Sequence, residues 1–189
     1  MGLLALGTYW LARTTPTFAP SAREAPPTHD PDYFLRGFSV KSFDASGRLK
    51  SEIRGIEARH FADTDTLEID EPRIRSFSQE GAVVVASAKR GISNADGSQV
   101  QLIGNAVVTR EAPPERRATE AKVEIRGDFL HAFMDQERVI SDKPVTLIRG
   151  SDVFHGNSLD YDNQKRVLQL VGAVRGTLQP KPPASAPSP

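Results

Sequence analysis

No cysteine occurs in the 189 residues, so disulfides, thiolate zinc sites and a cysteine nucleophile are excluded. That absence selects no compartment, because oxidising compartments also hold cysteine-free proteins. An excess of one charge is lacking as well, since 24 Lys and Arg balance 24 Asp and Glu. The basic residues stand singly among acids, whereas a phosphate-tracking protein needs them clustered, which removes nucleic acid from the partners. A mean hydropathy of −0.39 excludes a polytopic membrane protein. No HExxH, GxxxxGK[ST] or GxSxG is present. His29, His60, His131 and His155 share no metal-ligand spacing, and Asp63, Asp65, Glu68, Asp70 and Glu71 lack the glycine and spacing of a calcium loop. The expectation is a chain with no cofactor, no metal and no catalytic step, so that any directed transport draws its energy from a partner.

Long apolar runs are nearly absent too. Residues 1–12, MGLLALGTYWLA, are apolar and stop at Arg13, short of the roughly 20 residues of a spanning helix. Three readings stay open: the distal half of an anchor helix that starts upstream, a cleavable signal with Ser21 and Ala22 near the cut, and a core helix. Tyr9 and Trp10 beside Arg13 resemble an interfacial belt. We take 1–13 as a partial membrane anchor. Of 14 prolines, five fall between Pro16 and Pro31 and five between Pro180 and Pro189. Residues 14–31 then read as an extended linker, 180–189 as a disordered tail, and 32–179 as the folded domain.

Within the domain apolar residues recur with period 2, and Gly, Asp and Asn turns separate segments of five to ten residues. FLHAFMDQERV, 129–139, is the one stretch with helical character, and its flanks favour strands. Four stretches are alike: LEIDEPRI from 67, VQLIGNAVV from 100, RVISDKPVTL from 138 and LQLVGAVRG from 168. Aligned on Pro72, Ala106, Pro144 and Ala173, they are spaced by 34, 38 and 29 residues. Pro72 and Pro144 cannot donate to a ladder and mark bends where a strand leaves one pairing for the next. Stacked, such units make an all-β, twisted open antiparallel β-roll; a sandwich of unrelated hairpins is the alternative.

The apolar start, the Pro-rich spacer, DYFLRGFSVKSFDASGRLKSEIRGIEARHFADTDTLEIDEPRI from 32, QLIGNAVVTR from 101 and KPVTLIRGSDVFHGNSLDYD from 143 together resemble the LptC family. Members have a full anchor preceded by basic residues, a pattern from which residues 1–13 depart. The resemblance implies a β-jellyroll facing the periplasm, single-pass in the inner membrane, in the lipopolysaccharide export bridge of Gram-negative bacteria. It implies that the roll accepts lipopolysaccharide from the LptF/LptG permease with its LptB ATPase and passes the acyl chains to LptA.

A carrier of acyl chains needs an apolar interior, since each shielded methylene is worth roughly 0.8 kcal/mol. Alternation places Phe38, Val40, Ile53, Leu67, Ile69, Ile103, Val145, Leu147, Leu168 and Leu170 inward, as the expected lipid-binding face. The family's lipid-lining positions map onto Phe38, Ile69, Ile103 and Leu168, and Ile69→Arg is expected to spare the fold while reducing lipid capture. The last strand carries no acid or proline after Asp162 and before Pro180, and it reads as an unguarded edge. Val167, Leu168, Gln169, Leu170, Val171 and Val174, with Gly150 in the preceding turn matching a family glycine, are the expected LptA-binding residues. The first strand, around Tyr33 to Val40, is expected to meet the permease. The rival reading is a structural adaptor whose interior lipid never enters.

Overall fold

The computed structural model describes residues 28–179. The segment at 1–13, most of the linker and the tail lie outside them. Fourteen strands form one antiparallel sheet: β1 Pro31–Phe43, β2 Leu49–Phe61, β3 Thr66–Asp70, β4 Arg73–Phe77, β5 Val83–Ser87, β6 Arg90–Asn94, β7 Gln99–Glu111, β8 Val123–Phe133, β9 Arg138–Ser141, β10 Val145–Arg149, β11 Asp152–Gly156, β12 Ser158–Asp162, β13 Val167–Val171 and β14 Arg175–Thr177. No helix among the described residues is long and apolar enough to cross a membrane. Residues 129–139 form the end of β8, a turn and β9, as the flanking β-branched residues predict.

Four strands are long, and three of them divide their length between two inner neighbours. β2 pairs with β4 through Ser51 to Arg54 and with β3 from Glu57 to Phe61. β7 pairs first with β6 and then with β5, and β8 first with β10 and then with β9. The sheet is thereby creased along a line into two walls, each beginning at β1. One continues through β2, β3, β6, β7, β8, β9 and β12 to β13; the other through β2, β4, β5, β7, β8, β10 and β11 to β14. This is a β-jellyroll held together at its crease.

The crease explains the repeat. Pro72 and Pro144 sit on the steps from β3 to β4 and from β9 to β10, where the chain changes walls and no ladder bond is needed. In β7 the step lies within the strand: Gly104 and Asn105, both left-handed, stand opposite Asp128 alone, a bulge that bends the strand. Glu71, with φ of 49°, precedes Pro72, and Asn105, also at 49°, precedes Ala106. In the fourth copy the left-handed pair is Gly172 and Ala173, so the structural counterpart of Ala106 is Val174, one residue beyond the position that sequence alignment selects.

Inside the crease the packing is tight. Leu102, Ile125, Leu130 and Leu147 are almost fully buried. Ile69 has 0% exposure, between Ala58 on β2 and Gly91 on β6. A Cβ at Gly55 would meet Ile69 Cγ2 at 2.6 Å and Phe38 Cε1 at 2.9 Å, so Gly55 keeps the space that both side chains occupy. This corrects the expectation that Ile69 tolerates Arg: a guanidinium there would lose its water without a partner. Ile69→Ala should lower unfolding free energy by about 2–5 kcal/mol in urea titrations, and Ile69→Arg should abolish the cooperative transition.

Candidate functional site: a groove open along one side

Side chains that alternate on a strand fall into lines across a sheet when the register is kept. On the wall ending at β14, the register carries one such line from Val40 through Ile53, Ile74, Ala86 and Val108 to Ile125, Leu147 and Phe154. Every member is apolar. The facing line runs from Tyr33 through His60, Leu67, Ser93 and Val100 to Ala132, Val139, Tyr161 and Leu168. Here hydroxyls and an imidazole are interspersed among the apolar residues. In the middle the lines meet, and Val100, Val108 and Ile125 are buried in contact with the core.

Above that packed floor the walls diverge. The space between them is about 1780 Å³, beyond the roughly 300–1,000 Å³ of a small-molecule site. It opens between two rows of turns, residues 44–48 and 78–82 on one wall facing 95–98 and 134–137 on the other. Among the described residues the ion pair that spans the opening is Lys50 Nζ to Asp135 Oδ1, 2.7 Å, between two exposed side chains.

Six of the residues predicted to face inward line this space: Phe38, Val40, Ile53, Leu67, Leu147 and Leu168. Ile69 and Val145 belong to the buried layer at the crease, and Leu170 packs over Gly156, with its Cδ2 at 3.1 Å from a Cβ built there. Ile103 lies on the other face. It follows buried Leu102 directly and pairs with Arg90 and Phe129, and the inward residues of β7 on both sides of the bulge, Val100, Leu102, Ala106 and Val108, are of the opposite parity. Sequence reading passed over Arg110, Arg149, Tyr161 and His60, all of which line the groove. The signal was present: Arg110 follows Val108, and Arg149 follows Leu147, by two residues.

The groove ends at unpaired strands. Among the described residues β1 pairs with β2 alone, β13 with β12 and β14 with β11. Tyr33, Phe34, Leu35 and Phe43 are exposed on the first edge, and Val167, Leu168, Val171 and Val174 on the last, with Gln169 also exposed. Gly150 is elsewhere. It forms the β10–β11 turn at φ +62° and donates its N–H to Lys122 O at 3.0 Å, with β11 between it and β14.

At the β1 end, both nitrogens of His60 face carboxylates, Nδ1 to Asp32 at 2.7 Å and Nε2 to Asp65 at 3.4 Å, while Tyr33 stacks on the ring. The Asp32 bond foremost raises the His60 pKa above its ordinary value, and the same bond lowers that of Asp32. Tyr161 is displaced upward, chiefly by burial, with Arg110 and Arg149 acting in opposition.

A family model described as LptC, lipopolysaccharide-assembly, LptC-related, matches residues 1–179. No curated protein matches. Among solved structures the fold is similar to LptH, described as the LptA-homologous periplasmic component of the conserved lipopolysaccharide transport device from Pseudomonas aeruginosa. The TM-score is 0.57 at 14% identity, over 69% of this chain and 95% of that one, a likeness of fold.

His60 stabilises the first edge when charged. Because its folded pKa is raised, that contribution is complete below the unfolded value of about 6.5 and is lost as pH rises through the folded value. Asp32→Asn should bring the His60 titration, followed by imidazole NMR shifts, back down towards 6.5.

Proposed function

The chain belongs to the LptC-related family of lipopolysaccharide-assembly proteins, and from that premise we propose that it carries the acyl chains of lipopolysaccharide along the groove between its two walls. The observation that supports this most directly is a space of about 1780 Å³, open along one side, with Val40, Ile53, Ile74, Val84 and Val123 on one wall and Leu67, Val100 and Leu168 on the other. Acyl chains laid between those apolar side chains leave water without any sugar entering the crease, at roughly 0.8 kcal/mol per methylene. Phe38, Val40, Ile53, Leu67, Leu147 and Leu168 form the proposed lipid-binding face. In this reading the domain stands in the periplasm behind an inner-membrane anchor, and no enzymatic step is assigned to it.

Transport along a roll needs a continuous surface beyond its ends, and main-chain pairing at a free edge supplies one. We assign the edge formed by β13 and β14 to LptA, through Val167, Leu168, Gln169, Leu170, Val171 and Val174. The β1 edge is assigned to the LptF/LptG permease, whose LptB ATPase supplies the energy. Gly150 enters this scheme through the shape of its own turn.

The packed middle, where Val100 and Ile125 are 1% exposed, favours a second reading in which the roll is an adaptor that lipid never enters. Photo-crosslinkers separate the two. Placed at Leu67 or Ile53, they should yield adducts with labelled lipopolysaccharide, whereas one at Val85, which alternates with groove-facing Val84, should yield none. Equal labelling at all three, or at none, would establish the adaptor. Deleting residues 166–178 should abolish LptA pull-down while adducts at Leu67 persist; retained pull-down would place LptA on another surface.

A further inference from the structure

On the wall ending at β14, the line next to the apolar one and nearer the opening runs from Ser76 and Val84 to Arg110, Val123 and Arg149. Two arginines therefore share the face of Val108 and Leu147, one strand apart on either side of Val123. Strand spacing sets their Cα atoms about 10 Å apart, within the combined reach of two guanidiniums. A roll that held only acyl chains would have no use for charge at these positions, where alternation calls for apolar side chains.

Arg110 is poorly satisfied. Its side chain is 15% exposed, its Nε is buried with no hydrogen-bond partner, and its contact to Glu120 Oε2 is long at 3.6 Å. Glu120 is held more closely by Arg116, at 3.0 Å, and Arg116 also pairs with Glu80. Arg149 is exposed to the groove and has no ion pair among the described residues. From the facing wall, the Tyr161 hydroxyl donates to Asn163 Oδ1 at 3.0 Å, and Glu137, the other acid near it, is bound by Asn163 Nδ2. A buried donor without an acceptor costs stability, and an acceptor brought from outside relieves that cost. The planar fork of Arg suits a tetrahedral oxyanion.

We propose that Arg110 and Arg149 form an anion subsite at the opening of the groove, which binds phosphate groups on the sugar head of the carried glycolipid. The inference rests on the carrier reading and adds to it a fixed register for the cargo: acyl chains between the apolar side chains that line the groove, phosphate at the two arginines nearer its opening, with Glu120 as the counter-ion that the phosphate displaces from Arg110.

The test uses the full chain and two probes, bisphosphorylated lipid A and the same lipid after phosphatase treatment. The phosphorylated probe should bind roughly tenfold more tightly or better, as charge-assisted hydrogen bonds require. Arg149→Gln should remove that difference, Arg149→Lys should keep most of it, and Arg110→Gln, checked for folding by circular dichroism, should act like Arg149→Gln. Equal binding of both probes, or equal weakening of both by Arg149→Gln, would overturn the subsite while leaving the carrier reading intact. Binding of neither probe would overturn both. Inorganic phosphate titrated alone should bind far more weakly than the lipid; comparable affinity would assign the pair to the free anion and overturn the lipid assignment.

Discussion

Register is the constraint on which this protein depends. A strand presents alternate residues to alternate faces, so a slip of one residue in any ladder would move its whole apolar set to the outside. The line from Val40 to Phe154 crosses eight strands without such a slip, and this continuity makes one face of a long sheet apolar from end to end. The crease threatens that order, because each crossing changes the direction of the chain. It is accommodated by absorbing the misfit at a few residues, with Gly104 and Asn105 in β7 and the prolines between the shorter strands. Strand order and bend are thus solved together, and the interior follows from both.

Much of the fold was legible. Period-2 alternation marks the strands, and Pro72 and Pro144 identify two of the crossings because a residue without an N–H has few other places in a sheet. The open last strand could be read from its lack of acid and proline. What was not legible traces to parity. Ile103 looks equivalent to the apolar residues around it, but Val100 and Leu102 already take the inner face, and in a run of neighbouring apolar residues the sequence does not say which parity is inside. Ile69 does face inward, yet its depth depends on Gly55 from another strand. Arg110 and Arg149 failed for a different reason: charge suggests the exterior, and here alternation outranks it.

The two ends of the roll treat their edges differently. β1 bears Arg36 and Lys41, but these turn sideways to Glu57, at 3.0 Å, and Glu52, at 4.0 Å, on the neighbouring strand. Their charge is neutralised within the sheet and leaves the main chain of the edge available. The last strand has the same availability by simpler means, because it carries few charges. Natural sheets block edges with charge, proline or bulges where pairing must be avoided. On β1 the proline and the irregularities lie at the strand's ends, at Pro31–Tyr33 and Ser42–Phe43, and the stretch between is left unblocked, in keeping with the proposed continuation of the roll by its neighbours.

The opening along one side has a consequence for what can pass. A tube admits only objects narrower than its bore, and they must be threaded from an end. A trough sets no such limit, because whatever stands above its rim stays in solvent and moves alongside. Across this rim the described residues place one pair of exposed, opposite charges, Lys50 and Asp135, a contact that water screens and side-chain rotation breaks easily. Under the proposed carrier role, polysaccharide of any length is therefore compatible with the same short channel, and the protein need not change with the size of the glycan.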